Sequence, residues 1–428
     1  MVQLERRVER QALGNGLPIV AISGRWGKTT VARLLEAMIR PVYPHLAVWT
    51  DQGVYVNGRR QPGELLPWQE ALRALTAGEL DLALQELDAP TVNAVGLPRE
   101  AYALGIVTSF CGNDEACLIG PRAAIERQAQ AAVARAIHPT GALVLNADDH
   151  AVAGEGRVCS GDVIYYGGNR RNPIIKGHLA AGGRAVYISG GPDGMIVLGE
   201  GTHTQPVLPV REVALSLGGA IVFQVQNALA AVAAAWRLGV PPATIAETLR
   251  HFTSTPTAMP GACNEFRVGG ATVLVDRLTD PYSARSLVRG IRRVRGVHRR
   301  LVLLPACSAL DAASLMEIGR LMGGSFDLIV LHEDDCLADT PAGDDDPDAA
   351  GAEALRAGIA ANPVPPMVLA MPEEGPALER LLKILREGDL ALVLASDVAL
   401  VLRTLLTYRP TDANSEPAPA GAPVWQPD

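Results

Sequence analysis

Seven residues, Gly24-Arg25-Trp26-Gly27-Lys28-Thr29-Thr30, bring together the types that hold a phosphate. Glycines let backbone N–H groups approach an anion, the lysine adds a point charge, and the threonine after it can offer its hydroxyl to Mg²⁺. Only two residues separate Gly24 from Gly27, where the general motif has about four between its glycines. On spacing alone the segment also fits an ordinary strand-to-helix turn carrying a solvated lysine. The flanking elements favour the phosphate loop. Leu17 to Ser23 is short, rich in β-branched residues and apolar, as in a parallel strand buried on both faces. Val31, Leu34, Leu35, Met38 and Ile39 then recur at helical spacing. The loop therefore opens a helix whose first N–H groups and dipole favour an anion. Trp26 either packs against the fold or stacks on a ligand.

The chain has 428 residues and a net charge of −8, enough for two or three cores of ordinary domain size. The acidic balance and the lack of a long Lys/Arg run argue against nucleic acid or an anionic membrane as a partner. The one basic cluster, Arg289, Arg292, Arg293, Arg295, Arg299 and Arg300, reads as a solvated helix end and turn, with a role in holding an anionic substrate as the weaker alternative. Cysteines 111, 117, 159, 263, 307 and 336 show neither zinc-ligand spacing nor a disulfide framework. The charged first 15 residues do not read as a signal peptide, and no apolar run reaches spanning length, so a cytoplasmic setting is expected. The eight histidines are dispersed and are expected to be solvated or structural.

Strands alternate with helices from 17 to about 150, the pattern of a parallel sheet covered on both faces. The strand within 140–149 ends in Asn146-Ala147-Asp148-Asp149, at the sheet edge where α/β ligands bind. Residues 158–220 are glycine-rich with short β-like runs and read as a small β-rich insertion, followed by helices near 225–238 and 241–252. Thr253 to Gly261 reads as a linker. Beyond it, strand-like runs at 272–276, 300–305, 327–332, 366–371 and 389–395 alternate with helical stretches, giving a second doubly wound, Rossmann-like domain. The acidic run Asp344 to Asp348 reads as a surface loop, and the tail after about 410 as disordered.

Several of these segments together resemble the Mur ligases, and within them the C-terminal Mur-ligase-like half of the cyanophycin synthetases. The phosphate loop stands where that family has Gly-Thr-Asn-Gly-Lys-Thr-Thr. Leu145 to Asp149 matches its Leu-Asn-Ala-Asp-Asp, and Asn227 to Ala231 its Asn-Ala-Leu-Ala-Ala. Pro260-Gly261 with Asn264 is similar to Pro-Gly-Arg-x-Asn, and Asp276 and Pro281 frame the block that usually reads Asp-Tyr-Ala-His-Asn-Pro. Glu333-Asp334-Asp335 is similar to an acidic triplet of the last cyanophycin domain. The resemblance covers about 16 to 408. It implies an N-terminal extension (1–15), a P-loop central domain (16–255) carrying the β-rich insertion, a C-terminal Mur-ligase domain (256–410) and a tail (411–428).

The activity so implied is ATP-dependent amide-bond formation: a carboxylate is phosphorylated and an amine displaces phosphate from the acyl phosphate. By family position Gly24, Gly27, Lys28, Thr29 and Thr30 hold the phosphates, and Thr29, Glu86 and Asp114 offer oxygens to Mg²⁺. Lys28 and Glu86 are the catalytic candidates, Asn227 is placed near the adenine, and Asp276 near the ribose. Asn146 is placed at the sheet end, where a polar turn is the equal alternative. The expected substrates are a small amine and a carboxylate or short acidic peptide. An ATP-grasp or Mur-like partner acting in trans is also expected, because the chain starts close to the phosphate loop, and a homo-oligomer is a further expectation.

Departures from the family pattern cluster where substrate and metal are handled. Gln85-Glu86-Leu87-Asp88-Ala89-Pro90 keeps the metal-binding Glu without its usual neighbours. Thr108 to Asp114 lacks the family's ligand His, with Asp114 as the substitute oxygen. Gln130 stands where many members carbamoylate a lysine, Ala262 replaces the Arg of Pro-Gly-Arg, Thr279-Asp280 replaces His-Asn, and Ala306 to Ala309 replaces Gly-Asp-Arg. Two readings thus stay open: a ligase, or a degenerate subunit that binds nucleotide or organises an active partner. A phosphotransferase or plain ATPase is a third and weaker reading, since the loop alone does not choose an acceptor.

Overall fold

The computed structural model describes residues 18–62, 73–74, 77–98, 101–110, 121–191, 194–278, 280–306, 310–332 and 347–408. The chain divides into two compact units, Met1–Phe252 and Thr253–Asp428. In the first, β1 (Ile19–Ser23) leads into α1 (Lys28–Ile39), followed by β2 (Leu46–Thr50), β3 (Gly53–Val56), β4 (Arg59–Arg60), β5 (Leu82–Glu86), α2 (Ala89–Val95) and β6 (Tyr102–Val107). Then come α3 (Pro121–Arg135), β7 (Ile137–Asn146), α4 (His150–Ala153), β8 (Asp162–Gly167), α5 (Pro173–Ala180) and β9 (Arg184–Ser189). The unit ends with β10 (Met195–Glu200), β11 (His203–Pro209), α6 (Val222–Arg237) and α7 (Pro242–His251).

These strands form one sheet in the order β11-β10-β9-β8-β7-β6-β1-β5-β2-β3-β4. From β9 across to β2 all neighbours are parallel, while β10–β11 and β3–β4 fold back as antiparallel hairpins at the two ends. The strands expected as a β-rich insertion therefore continue the main sheet. Asp148 helps to fuse them to it, accepting from Gly168 N–H at 2.6 Å and from Asn172 Nδ2 at 3.0 Å.

Chain order jumps across β1 between β5 and β6, which makes the carboxyl end of β1 a topological switch point. β1 is buried along its whole length, as its apolar run requires. Trp49, Tyr102, Val107, Phe110, Ala129, Val133 and Leu143 pack in the core that includes Ile19 and Ala21. Each large side chain so buried contributes roughly 1.5–3 kcal/mol. Helix α6 is buried from Asn227 to Ala235, and its alanines let it lie close against α1, β7 and β8.

The second unit contains β12 (Asn264–Val268), β13 (Ala271–Asp276), α8 (Pro281–Arg293), β14 (Arg300–Pro305), α9 (Ala312–Gly323) and β15 (Leu328–His332). It continues with α10 (Pro347–Ala360), β16 (Met367–Met371), α11 (Glu374–Ile384), β17 (Leu390–Leu394) and α12 (Val398–Thr407). The sheet order is β12-β13-β17-β14-β15-β16, with only the β12–β13 pair antiparallel. Its core gathers Val273, Val275, Leu301, Leu303, Val393, Leu378, Leu381 and Val401.

The stretch read as a linker is anchored. Asn264 is fully buried; its Nδ2 donates to Ser254 O, Ser254 Oγ and Met259 O at 2.9–3.1 Å, and its Oδ1 accepts from Gly261 N–H at 2.7 Å. In the basic cluster, Arg289, Arg292, Arg293 and Arg295 are exposed, whereas Arg299 pairs with buried Asp389 and Arg300 donates to backbone carbonyls. His332 is a buried structural histidine at the end of β15, 3.7 Å from Glu374. Glu374 in turn accepts from the backbone N–H groups of Ser396 and Asp397. Asp334, Asp335 and the acidic run from Asp344 to Asp346 lie outside the described residues, as does the tail from 409.

Candidate functional site

The carboxyl edge of the first sheet collects side chains from four neighbouring strands. β1 ends at Ser23 beside Val107 of β6, and Ile22 lies beside Glu86, the last residue of β5. Trp49 of β2 pairs with Gln85, so Thr50 and Asp51 follow at the same edge. The phosphate loop leaves β1 at the centre of this row.

Its conformation needs both glycines. Gly24 has φ +127° and Gly27, the N-cap of α1, has φ +84°. A Cβ on Gly24 would collide with Thr108 Oγ1, and one on Gly27 with Asn227 Oδ1. The loop is also tied to the end of β6: Arg25 N–H donates to Ser109 O at 2.8 Å, and the Trp26 carbonyl accepts from Thr108 Oγ1 at 2.6 Å and Ser109 Oγ at 3.3 Å. Tyr166 from β8 holds that strap in turn, its hydroxyl donating to Thr108 O at 2.5 Å. The Arg25 guanidinium lies over the Trp26 ring, 4.5 Å from its centroid. No side chain caps the start of α1, so its first amides remain available to an anion.

Lys28 and Thr29, the first residues of α1, meet Glu86. Lys28 Nζ lies 3.7 Å from Glu86 Oε1, and Thr29 Oγ1 donates to Glu86 Oε2 at 2.9 Å. Burial pushes the Glu86 carboxyl above its usual range; Lys28 pulls it down, the Asp51 charge pushes it up, and hydrogen bonds from the Thr29 hydroxyl and the Asp51 backbone N–H lower it. Asp51 is a residue the sequence reading missed. Its Oδ1 lies 3.4 Å from the same Thr29 hydroxyl. The available signal was an acidic residue directly after an apolar strand, at the edge where α/β sheets bind ligands.

The other expected residues are placed as follows. Thr30 is buried on α1. Asn227, expected near the adenine, lies against Gly27 with its Nδ2 donating to Gln224 Oε1 at 3.0 Å. Asn146 is buried at the end of β7, and its Oδ1 closes a turn by accepting from Asp148 N–H at 2.9 Å. Asp149 caps α4 and also accepts from Phe110 N–H at 2.7 Å. Asp114, the expected substitute metal ligand, lies outside the described residues, as do Thr279 and 307–309. Gln130 is 1% exposed, and neither atom of its amide has a hydrogen-bond partner among the described residues.

Asp276, at the end of β13 in the second unit, has both oxygens engaged. Oδ2 accepts from Cys263 Sγ at 2.9 Å and from Cys263 N–H at 3.2 Å, and Oδ1 from Arg277 N–H at 2.7 Å. Burial pushes its carboxyl up to about 6 against those hydrogen bonds.

A loop cradled this tightly, followed by Lys28, Thr29 and an edge carboxylate at a switch point, is an arrangement that suits an anion. A cyanophycin synthetase of Synechocystis sp. is 28% identical over 323 residues, 74% of this chain and 36% of that protein. One of Crocosphaera subtropica is 29% identical over 322 residues, with the same coverage of 74% and 36%. The chain is Mur-ligase-like. Among solved structures, E. coli FolC in complex with DHPP and ADP superposes with a TM-score of 0.63 at 14% identity, covering 94% of this chain and 91% of that one. MurF from Acinetobacter baumannii gives 0.60 at 17% identity, covering 94% and 78%. These distant likenesses establish the Mur-ligase fold for both units of the Mur-ligase-like chain. It spans about a third of the length of the curated relatives it matches. No protein-family model matches it. Among the described residues no helix is long and apolar enough to cross a membrane.

Proposed function

We propose that the chain is an ATP-dependent carboxylate–amine ligase working through an acyl phosphate. The observation that carries this reading is the convergence of Lys28, Thr29 and Glu86 on the uncapped start of α1, within a loop packed down to backbone width. The site fits a nucleotide phosphate, since the glycine cradle admits an anion to backbone amides without a Cβ in the way. It also fits Mg²⁺, because Thr29 and Glu86 present hard oxygens. Held by Thr29 and Glu86, the ion would offset the negative charge that develops on the phosphates.

In this reading Lys28 and the α1 amides hold the terminal phosphates in line with a substrate carboxylate. A carboxylate oxygen bonds to the γ-phosphorus as the bond to ADP breaks. The amine lone pair then attacks the acyl carbon, phosphate leaves, and the amine gives up a proton. Catalysis here is largely positioning and electrostatic stabilisation, which is why a few fixed groups suffice. The relatives' name, cyanophycin synthetase, makes cyanophycin-type amide ligation the chemistry we propose, with a small amine and a carboxylate or acidic peptide as substrates.

The second reading, a nucleotide-binding subunit without turnover, is favoured by Gln130. A neutral amide with no hydrogen-bond partner among the described residues stands where the resemblance to the Mur ligases puts a carbamoylated lysine. One experiment separates the two. The purified chain is incubated with ATP, Mg²⁺, a panel of amino acids and short acidic peptides, and ADP and phosphate are measured. The ligase reading expects release that depends on both amine and carboxylate and falls at least about 100-fold in Lys28→Ala. ATP binding by calorimetry with no release for any pair gives the second reading, and loss of binding in wild type ends both.

A further inference from the structure

The Thr29 hydroxyl is faced by more acceptors than it can serve. It carries one hydrogen, yet Glu86 Oε2 lies at 2.9 Å and Asp51 Oδ1 at 3.4 Å. Donation to one carboxylate leaves the other opposite the hydroxyl's lone pairs, an arrangement that is repulsive without a cation. Among the described residues the positive side chain in contact is Lys28, on the far oxygen of Glu86, 3.7 Å from Oε1. Three side-chain oxygens on three elements, the start of α1, the turn after β2 and the end of β5, therefore converge, with the Thr29 hydroxyl and the Asp51 backbone N–H, which donates to Glu86, as the neutral donors among them. Hard, anionic, oxygen-only donors of this kind suit Mg²⁺ or Mn²⁺.

The placement of Asp51 is fixed by the fold. β2 runs parallel to β5 with Trp49 beside Gln85, and the chain then reverses into β3 through Asp51 and Gln52. Strand pairing thus delivers the carboxylate to the phosphate loop.

We propose that Asp51 is the third protein oxygen, with Thr29 and Glu86, for the divalent cation that accompanies the nucleotide. This rests on the nucleotide site of the proposed function. It would supply an anionic ligand from the β2–β3 turn.

The charges give the proposal a signature with opposite signs. With the cation present Asp51 attracts it; with the cation removed Asp51 repels the nucleotide phosphates. The test compares wild type, Asp51→Asn and Glu86→Gln in the full chain. Mn²⁺ binding is followed by electron paramagnetic resonance with ADP present, ADP binding by calorimetry in EDTA, and unfolding by a thermal melt without metal. For Asp51→Asn the expected results are Mn²⁺ affinity lower by at least about tenfold, ADP affinity in EDTA unchanged or higher, and an unfolding midpoint unchanged or higher. Unaltered Mn²⁺ affinity overturns the proposal. So does weaker ADP binding in EDTA or a lower midpoint, since either assigns Asp51 a structural role. If wild type itself binds no ADP, the nucleotide site fails and this proposal fails with it; if wild type binds ADP and Mn²⁺ and only the Asp51→Asn comparison fails, the nucleotide site stands.

Discussion

At Gly27 a left-handed backbone and the Asn227 side chain act on the same atom position. Replacing it by alanine adds about 1–2 kcal/mol for the backbone conformation alone, before Asn227 is displaced. Gly27→Ala is expected to lower the urea-unfolding free energy by at least that amount and to weaken ATP binding measured by calorimetry. Asp276 gives a prediction in pH. Its folded carboxyl releases a proton near 6, pushed up from the ordinary value near 3.8 chiefly by burial. A raised acid stabilises the protonated folded form, so this contribution is fullest at low pH, declines from about pH 4 to about pH 6 and then levels, a change of roughly 2–3 kcal/mol. Asp276→Asn should remove that component, so the wild-type minus variant difference in thermal midpoint should fall between pH 4 and 6.5. A flat difference would show that the carboxyl titrates alike in both states.

Among elements, the segment from Ser254 to Asn264 shows how one side chain orders a stretch that composition assigns to a linker. Asn264 satisfies two carbonyls, one hydroxyl and one N–H in a site without solvent. Asn264→Ala is expected to destabilise by about 2–4 kcal/mol, since buried acceptors are left unpaired, as measured by denaturant unfolding. The alternation of strands and helices was legible along most of both units, because hydrophobic period and turn residues are local signals. β12 and the β2–β3–β4 hairpin were not read. Their residues, such as Asn264-Glu265-Phe266-Arg267-Val268 and the exposed Arg59-Arg60, carry little apolar alternation and become strands through their partners. Likewise 158–220 read as a separate piece, whereas Val163, Ile164 and Tyr165 align beside Leu143, Val144 and Leu145 and extend the main sheet.

For the whole molecule, the phosphate loop, the β2–β3 turn, the end of β5 and the strap after β6 should respond together to nucleotide. ADP with Mg²⁺ at about 100 times its dissociation constant adds about 2.7 kcal/mol to the unit that binds it. In hydrogen exchange the added protection should map to residues 24–30, 50–52, 86–87 and 108–109. Protection spread evenly over both sheets, or absent from these segments, would contradict the site.

The sequence by itself determined the phosphate loop, the two α/β units and the likeness to the Mur ligases, since glycine spacing, apolar runs and short motifs are local and survive in one dimension. Lys28 and Thr29 stood out as candidates for the same reason, inside the glycine-rich block, and Glu86 by its place in the family's order without the usual neighbours. Only the tertiary structure brought Asp51 to the Thr29 hydroxyl, 22 positions along the chain, set Asn227 against Gly27, and closed both oxygens of Asp276 with Cys263 and Arg277. Those relations depend on which strands lie side by side. That choice is made by long-range packing and register, and residue spacing along the chain does not carry it.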